Sequence, residues 1–288
     1  EIMPSLVGSE MCIRDSLYGV RRLLSDSRIF IVGIITILYL LMIGDALHQY
    51  ILIAGEPITP WLFPFIMANR NCVLVLFLLL VLLFCDAPYI EENAYLLFLR
   101  CGRTVWMFGQ LLYTIIISIS YVLFVVIITI VMNLFDCVAL QDWGRVFYTL
   151  ANTNAAELVD LPIQISKALI LHFSPKNAMV FSITLSCLAA IFLGSIVFLL
   201  NLAFSKLIGS IVGSMFVLFQ FLSSNASGYT MTYFSPISWV NLDSLDFLGI
   251  SCMPSIQYAF AFFCLSILIF WLCSFMIIRN KDIICLLY

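Results

Sequence analysis

Two residues in the first apolar run have the type and spacing to move a proton. Asp45 and His48 stand three apart, which places both on one face of a helix. A carboxylate beside an imidazole is a minimal acid–base pair. The same two groups at the outer end of a membrane helix would equally hydrogen-bond headgroups or nearby loops. A second concentration of chemistry is DAPYIEENAYLLFLRCGR, the island from Asp86 to Arg103, with five charged residues: Asp86, Glu91, Glu92, Arg100 and Arg103. Charges between two apolar runs suit ion pairing and docking. A third is the small-residue series Gly209-Ser-Ile-Val-Gly213, reinforced by Ser210 and Ser214. Such spacing lets two helix backbones approach closely in lipid, against a second subunit or within one bundle. Ser182, Thr184, Ser186, Ser195 and Asn201 pose the same choice.

The elements that position these groups are membrane helices. The chain has 288 residues, 64% hydrophobic and 10% charged, against about 25% charged in a soluble domain. Mean hydropathy is +1.13. Six apolar runs are predicted to be spans: Ile29 to Ile51, Cys72 to Cys85, Val105 to Met132, Ala178 to Phe204, Leu207 to Ser223 and Ser255 to Ile278. The fold class is therefore expected to be all-α and polytopic, with a lipid bilayer as its surroundings. The second run is short and starts nearer Met67 if Arg70 snorkels outward.

Lysine and arginine orient the bundle. With both termini cytoplasmic, the inner segments hold Arg21, Arg22, Arg28, Arg100, Arg103, Lys206, Arg279 and Lys281, and the outer ones only Arg70, Arg145, Lys167 and Lys176. Ser205-Lys206 makes a tight inner hairpin. The long outer loop, Asn133 to Asn177, is predicted to contain helical pieces at residues 142–160 and near Pro162 to His172. Residues 225–254 form a last outer segment that could dip back among the spans. Residues 17–282 read as one transmembrane domain. Residues 1–16, EIMPSLVGSEMCIRDS, lack a signal-peptide pattern and look like translated adapter sequence or a disordered tail. Residues 283–288 are a tail.

Several activities lose their support. There is no phosphate loop, no HExxH and no GxSxG. Ten cysteines are scattered without metal spacing, so neither a metal nor another cofactor is expected. Cys137 and Cys252 are the two placed outside, and spacing alone does not decide whether they bond. A net charge of −3 offers nothing to nucleic acid. The central thirds of the predicted spans carry no Asp, Glu, Lys or Arg, which ion-coupled carriers use at membrane depth. Active transport by this chain would need energy from another one.

The island itself reads as a short amphipathic helix at the inner interface. Asp86 suits a cap and Pro88 an early helical position. Glu91 and Glu92 face the positive end of the helix dipole. Ile90, Ala94 and Leu97 make an apolar stripe, with Glu91, Glu92 and Tyr95 opposite. Gly102 offers a break before Trp106. A docking element and a plain membrane anchor both fit this pattern.

DAPYIEENAYLLFLRCGRTVWMFGQLLY resembles the segment after the second span in membrane subunits of ABC-type exporters of the type-2 permease family. The shared features are the acid-Ala-Pro-aromatic start, the basic stretch ending at Arg103, then Trp106 and the pair Gly109-Gln110. QDWGRVFYTLANTN (141–154) and YFSPISWVNL (233–242) resemble outer segments of the same branch. The resemblance covers about Leu17 to Asp282. It implies a coupling helix that docks a separate ATP-binding cassette ATPase subunit through Asp86, Tyr89, Glu91, Glu92, Arg100 and Arg103. It also implies a second permease chain, identical or different, and a chain that is itself no enzyme. The stretch before the first span is short, Leu17 to Leu24, so no N-terminal contact carries over. Two other readings stand beside it: a non-transporting immunity or sensor protein on the same bundle, and an intramembrane enzyme centred on Asp45 and His48. The substrate is not legible, because fold does not name cargo.

Overall fold

A computed structural model describes residues 27–88, 94–134, 138, 142–159, 161–204, 207–223, 230–247 and 252–280. Side chains are described for these except at 94–103, 154, 157, 158, 230 and 280. The expectations for residues 1–16, Tyr89, Glu91, Glu92, Cys137, Lys206 and the tail fall outside that set, as do the side chains of Arg100 and Arg103.

The described residues are helical, with no strand and one isolated bridge between Asp246 and Ser255. Six apolar helices carry the fold: α1 (Ser27–Ala54), α3 (Arg70–Phe84), α4 (Ala94–Met132), α7 (Pro175–Ala203), α8 (Ile208–Ser223) and α10 (Ile256–Asn280). Short helices lie between them: α2 (Phe63–Ala68), α5 (Gly144–Asn152), α6 (Lys167–His172) and α9 (Thr230–Tyr233). Stretches Ser27–Ala54, Thr104–Met132, Pro175–Ala203 and Ile256–Arg279 are long and apolar enough to cross a membrane. With 15 and 16 residues, α3 and α8 reach only about 22–24 Å, against a hydrocarbon core of about 30 Å. The chain is an all-helical, membrane-embedded protein.

Packing explains why α7 is central. Small residues, Ala178, Ser182, Ser186, Ala189, Ala190 and Gly194, give it a surface neighbours can approach closely, and all are buried. It packs against α10, α4, α8 and α3, while α1 packs on α3 and α4. Phe192 anchors the core against Phe263 at 5.7 Å and Phe216 at 5.8 Å. At membrane depth Trp271 Nε1 donates to Ser195 Oγ at 2.9 Å. The exposed faces are apolar, as in Leu38, Met42, Ile127, Leu268 and Leu272, which suits a lipid solvent.

The two ends of the bundle differ. One end, here the far end, is capped by structure. Trp143 packs on Phe65 at 5.0 Å and donates to the Phe173 carbonyl at 2.9 Å. Asn69 donates to the Pro162 carbonyl and Asn241 to that of Ala68, at 3.3 and 2.9 Å. The expected helical pieces in residues 142–172 appear as α5, α6 and a 3₁₀ turn at Asn154–Val159. The segment after α8 folds back onto α7, α8 and α10, and its 3₁₀ turn Pro236–Val240 is wholly buried.

The helix break expected at Gly102 is not present. Residues 94–103 are helical and continue without interruption into the third apolar run, giving a helix of 39 residues. A glycine inside a helix costs about 1 kcal/mol relative to alanine. Strong helix formers and apolar packing on its C-terminal side outweigh that amount.

Candidate functional site

Five helices meet at the end opposite the far-end cap, around the turn Cys85–Ala87 that follows α3. Arg28, in the first turn of α1, pairs its guanidinium with the Asp86 carboxylate and donates to Cys85 Sγ at 3.1 Å. The sequence expects Asp86 to cap the island's helix; its carboxylate takes the Arg28 guanidinium. Both side chains are about half exposed, so the pair fixes geometry more than it adds stability. Pro88 follows a cis peptide bond.

Asn201 holds the other side of the turn. Its Nδ2 donates to the carbonyls of Ala87 and Cys85 at 2.6 and 3.2 Å, and its Oδ1 accepts from the Gly209 amide at 2.8 Å. Beneath these contacts Ala87 is buried with Trp106, Met107, Leu111, Phe198, Leu202 and Ile278 in a small apolar core separate from the main one. That core draws on α4, α7 and α10. The beginning of the charged island is therefore fastened to α1, α7 and α8 by side chains, and to α4 and α10 by packing.

Gly209 and Gly213 lie on the inner face of α8, against α7. A Cβ on Gly209 would collide with Asn201 Oδ1 and the Val197 carbonyl, and one on Gly213 would stand 2.8 Å from Val197 Cγ2. Both glycines are buried; Ser210 and Ser214 are half-buried, and the Ser214 hydroxyl donates to the Ser210 carbonyl at 2.8 Å. The small-residue face thus serves packing within this one bundle.

Asp45 and His48 sit exposed on α1, and Asp45 Oδ2 accepts from Gln49 Nε2 at 3.4 Å. Among the described residues no three His, Cys, Asp or Glu side chains gather as metal ligands would. An open cleft of about 540 Å³ lies near the far end, lined by Phe216, Tyr233, Phe234, Pro236, Tyr258 and Phe262. Among the described residues its lining carries no acid, base or nucleophile beyond two phenols. Cys252 is exposed. Asp243, in the far-end cap, has its pKa raised by burial, an effect opposed by a hydrogen bond from Ser166.

Sequence reasoning singled out the island and missed its fastenings. Arg28 and Asp86 are 58 residues apart, and Asn201 and Ala87 are 114 apart. The one available signal was an amide in an apolar span, a turn away from a tight hairpin. Such an amide must satisfy both its donors and its acceptor. Comparison of the chain with family models, curated proteins and solved structures finds no match.

Proposed function

We propose that this chain is the membrane-spanning subunit of an ABC exporter. It sits in a plasma membrane with six spans and both termini cytoplasmic. A separate ATP-binding cassette subunit hydrolyses ATP and docks on the island. A second permease chain completes the route, and this chain catalyses nothing itself. The short helices α3 and α8 cross with their flanking segments or by local thinning of the bilayer.

The observation that supports this most is the continuity of α4. Ten helical residues, Ala94 to Arg103, extend the apolar stretch Thr104–Met132 without a break. That adds about 15 Å of helix beyond the span. A force on the projecting end would reach the bilayer-crossing part without loss in a flexible joint. The turn at its base is tied to four other helices, so the projection is a lever with a fixed pivot. An interfacial anchor needs neither feature.

The test is association with a cassette ATPase encoded beside this chain. Charge reversal at Glu91, Glu92, Arg100 and Arg103 is expected to abolish co-purification while leaving the membrane-inserted protein intact. Unchanged co-purification would refute docking at the island and favour the anchor.

A further inference from the structure

Asn201 is 6% exposed and lies two residues before the end of α7. Its amide commits both donors and an acceptor bond to other elements. The two donors go to carbonyls of Cys85 and Ala87, in the turn that leaves α3. The acceptor takes the Gly209 amide, one of the first-turn N–H groups of α8 that no helix can satisfy internally. Gly209 permits the approach because it has no Cβ to collide with the amide. One side chain therefore joins the ends of α3 and α7 to the start of α8.

We infer that Asn201 is a latch that carries displacement of the Cys85–Ala87 turn into the α7–α8 hairpin. Chain connectivity alone directs such movement into α3 and α4, on either side of the island. The hydrogen bonds add the hairpin, and through α7 they add the centre of the bundle. Gly213 against Val197 keeps α8 close on α7, so the two would move as one unit. Asparagine is specific for the task. Aspartate would keep the acceptor and lose both donors, and serine would be too short to reach both sides. The latch rests on the exporter reading only for the source of the displacement; the link itself is a matter of hydrogen bonding within this chain.

The test is a coupling cycle on the full chain in lipid nanodiscs without any partner, read by backbone hydrogen exchange. Asp86→Asn disturbs the turn from the α1 side by removing the ion pair with Arg28. In the native background it is expected to raise exchange several-fold in the peptide covering residues 207–213. In an Asn201→Asp background, where the Gly209 acceptor remains, Asp86→Asn is expected to add no change there. Asn201→Ser should give the same loss of coupling and serves if the aspartate variant does not fold. The latch is wrong if Asp86→Asn leaves 207–213 unchanged in the native background. It is equally wrong if the increase is the same in both backgrounds, as a purely structural role of Asn201 requires. Because no ATPase is present, failure of docking and failure of the latch are read separately.

Discussion

The indole N–H of Trp271 donates to the hydroxyl of Ser195 at 2.9 Å, joining the last helix to the central one. Ser195 is buried about two turns before the end of α7. In an apolar surrounding neither group has water to fall back on. Ser195→Ala leaves the indole donor unpaired while removing only one oxygen from the packing. The expected loss of stability is about 0.6 kcal/mol, with an upper bound of about 1.7 kcal/mol for such bonds between membrane helices. Unfolding in mixed micelles, followed by tryptophan fluorescence, measures it. Trp271→Phe should cost a similar amount, and the double variant should cost less than the sum.

Gly213 makes a different demand, for space. Val197 Cγ2 would stand 2.8 Å from a Cβ there, and Val81 at 3.5 Å closes the other side. Gly213→Leu must push α8 away from both α7 and α3. Overpacking of this kind costs about 1–3 kcal/mol. Gly213→Ala should cost less, because the Val197 methyl can rotate. If the glycine face served a second subunit instead, both changes would alter oligomer state on a sizing column and leave monomer stability untouched. The packing seen here predicts the opposite pattern.

What the sequence could reveal follows from the range of the forces involved. Apolar runs report directly on helices, and Ile29 to Ile51 falls inside α1 as Val105 to Met132 falls inside α4. Turn and cap residues report on neighbours a few positions away, which is why the helices after Trp143 and near His172 were legible. The break expected at Gly102 failed because propensity is a small local term, overridden by the helix on either side. The contacts at the Cys85–Ala87 turn were out of reach for a different reason. Arg28, Asp86, Asn201 and Gly209 meet only after α1, α3, α7 and α8 have packed, and no spacing encodes that.

Asp243 links the far-end cap to pH. Its carboxyl is partly buried, and the lost solvation raises its pKa above the ordinary 3.8 although Ser166 hydrogen-bonds the charged form. The folded chain therefore holds this proton more tightly than the unfolded one. Its stabilising contribution is complete below the unfolded value and is lost as pH rises through the folded value. Asp243→Asn keeps an acceptor for Ser166 and removes the charge. Melting temperatures taken between pH 3.5 and 7 are expected to converge at the acid end. Above it the variant should melt higher than the native chain, and the difference should stop growing once Asp243 has ionised. A difference independent of pH would assign the effect to the hydrogen bond rather than the charge.

The Arg28–Asp86 pair separates docking from anchoring at the island. Each side chain is close to half exposed, so the pair contributes about 0–1 kcal/mol to stability. Asp86→Arg alone places two arginines together and should loosen the turn. Adding Arg28→Asp restores an ion pair with the charges exchanged. If Asp86 acts only by holding the turn to α1, the double exchange should recover both thermal stability and ATPase association. If Asp86 also faces a partner, stability should return while association stays lost, because the charge presented at the base of the lever has changed sign. Co-purification and melting of the two variants, measured on the same preparations, decide between these outcomes. The exporter reading predicts the second.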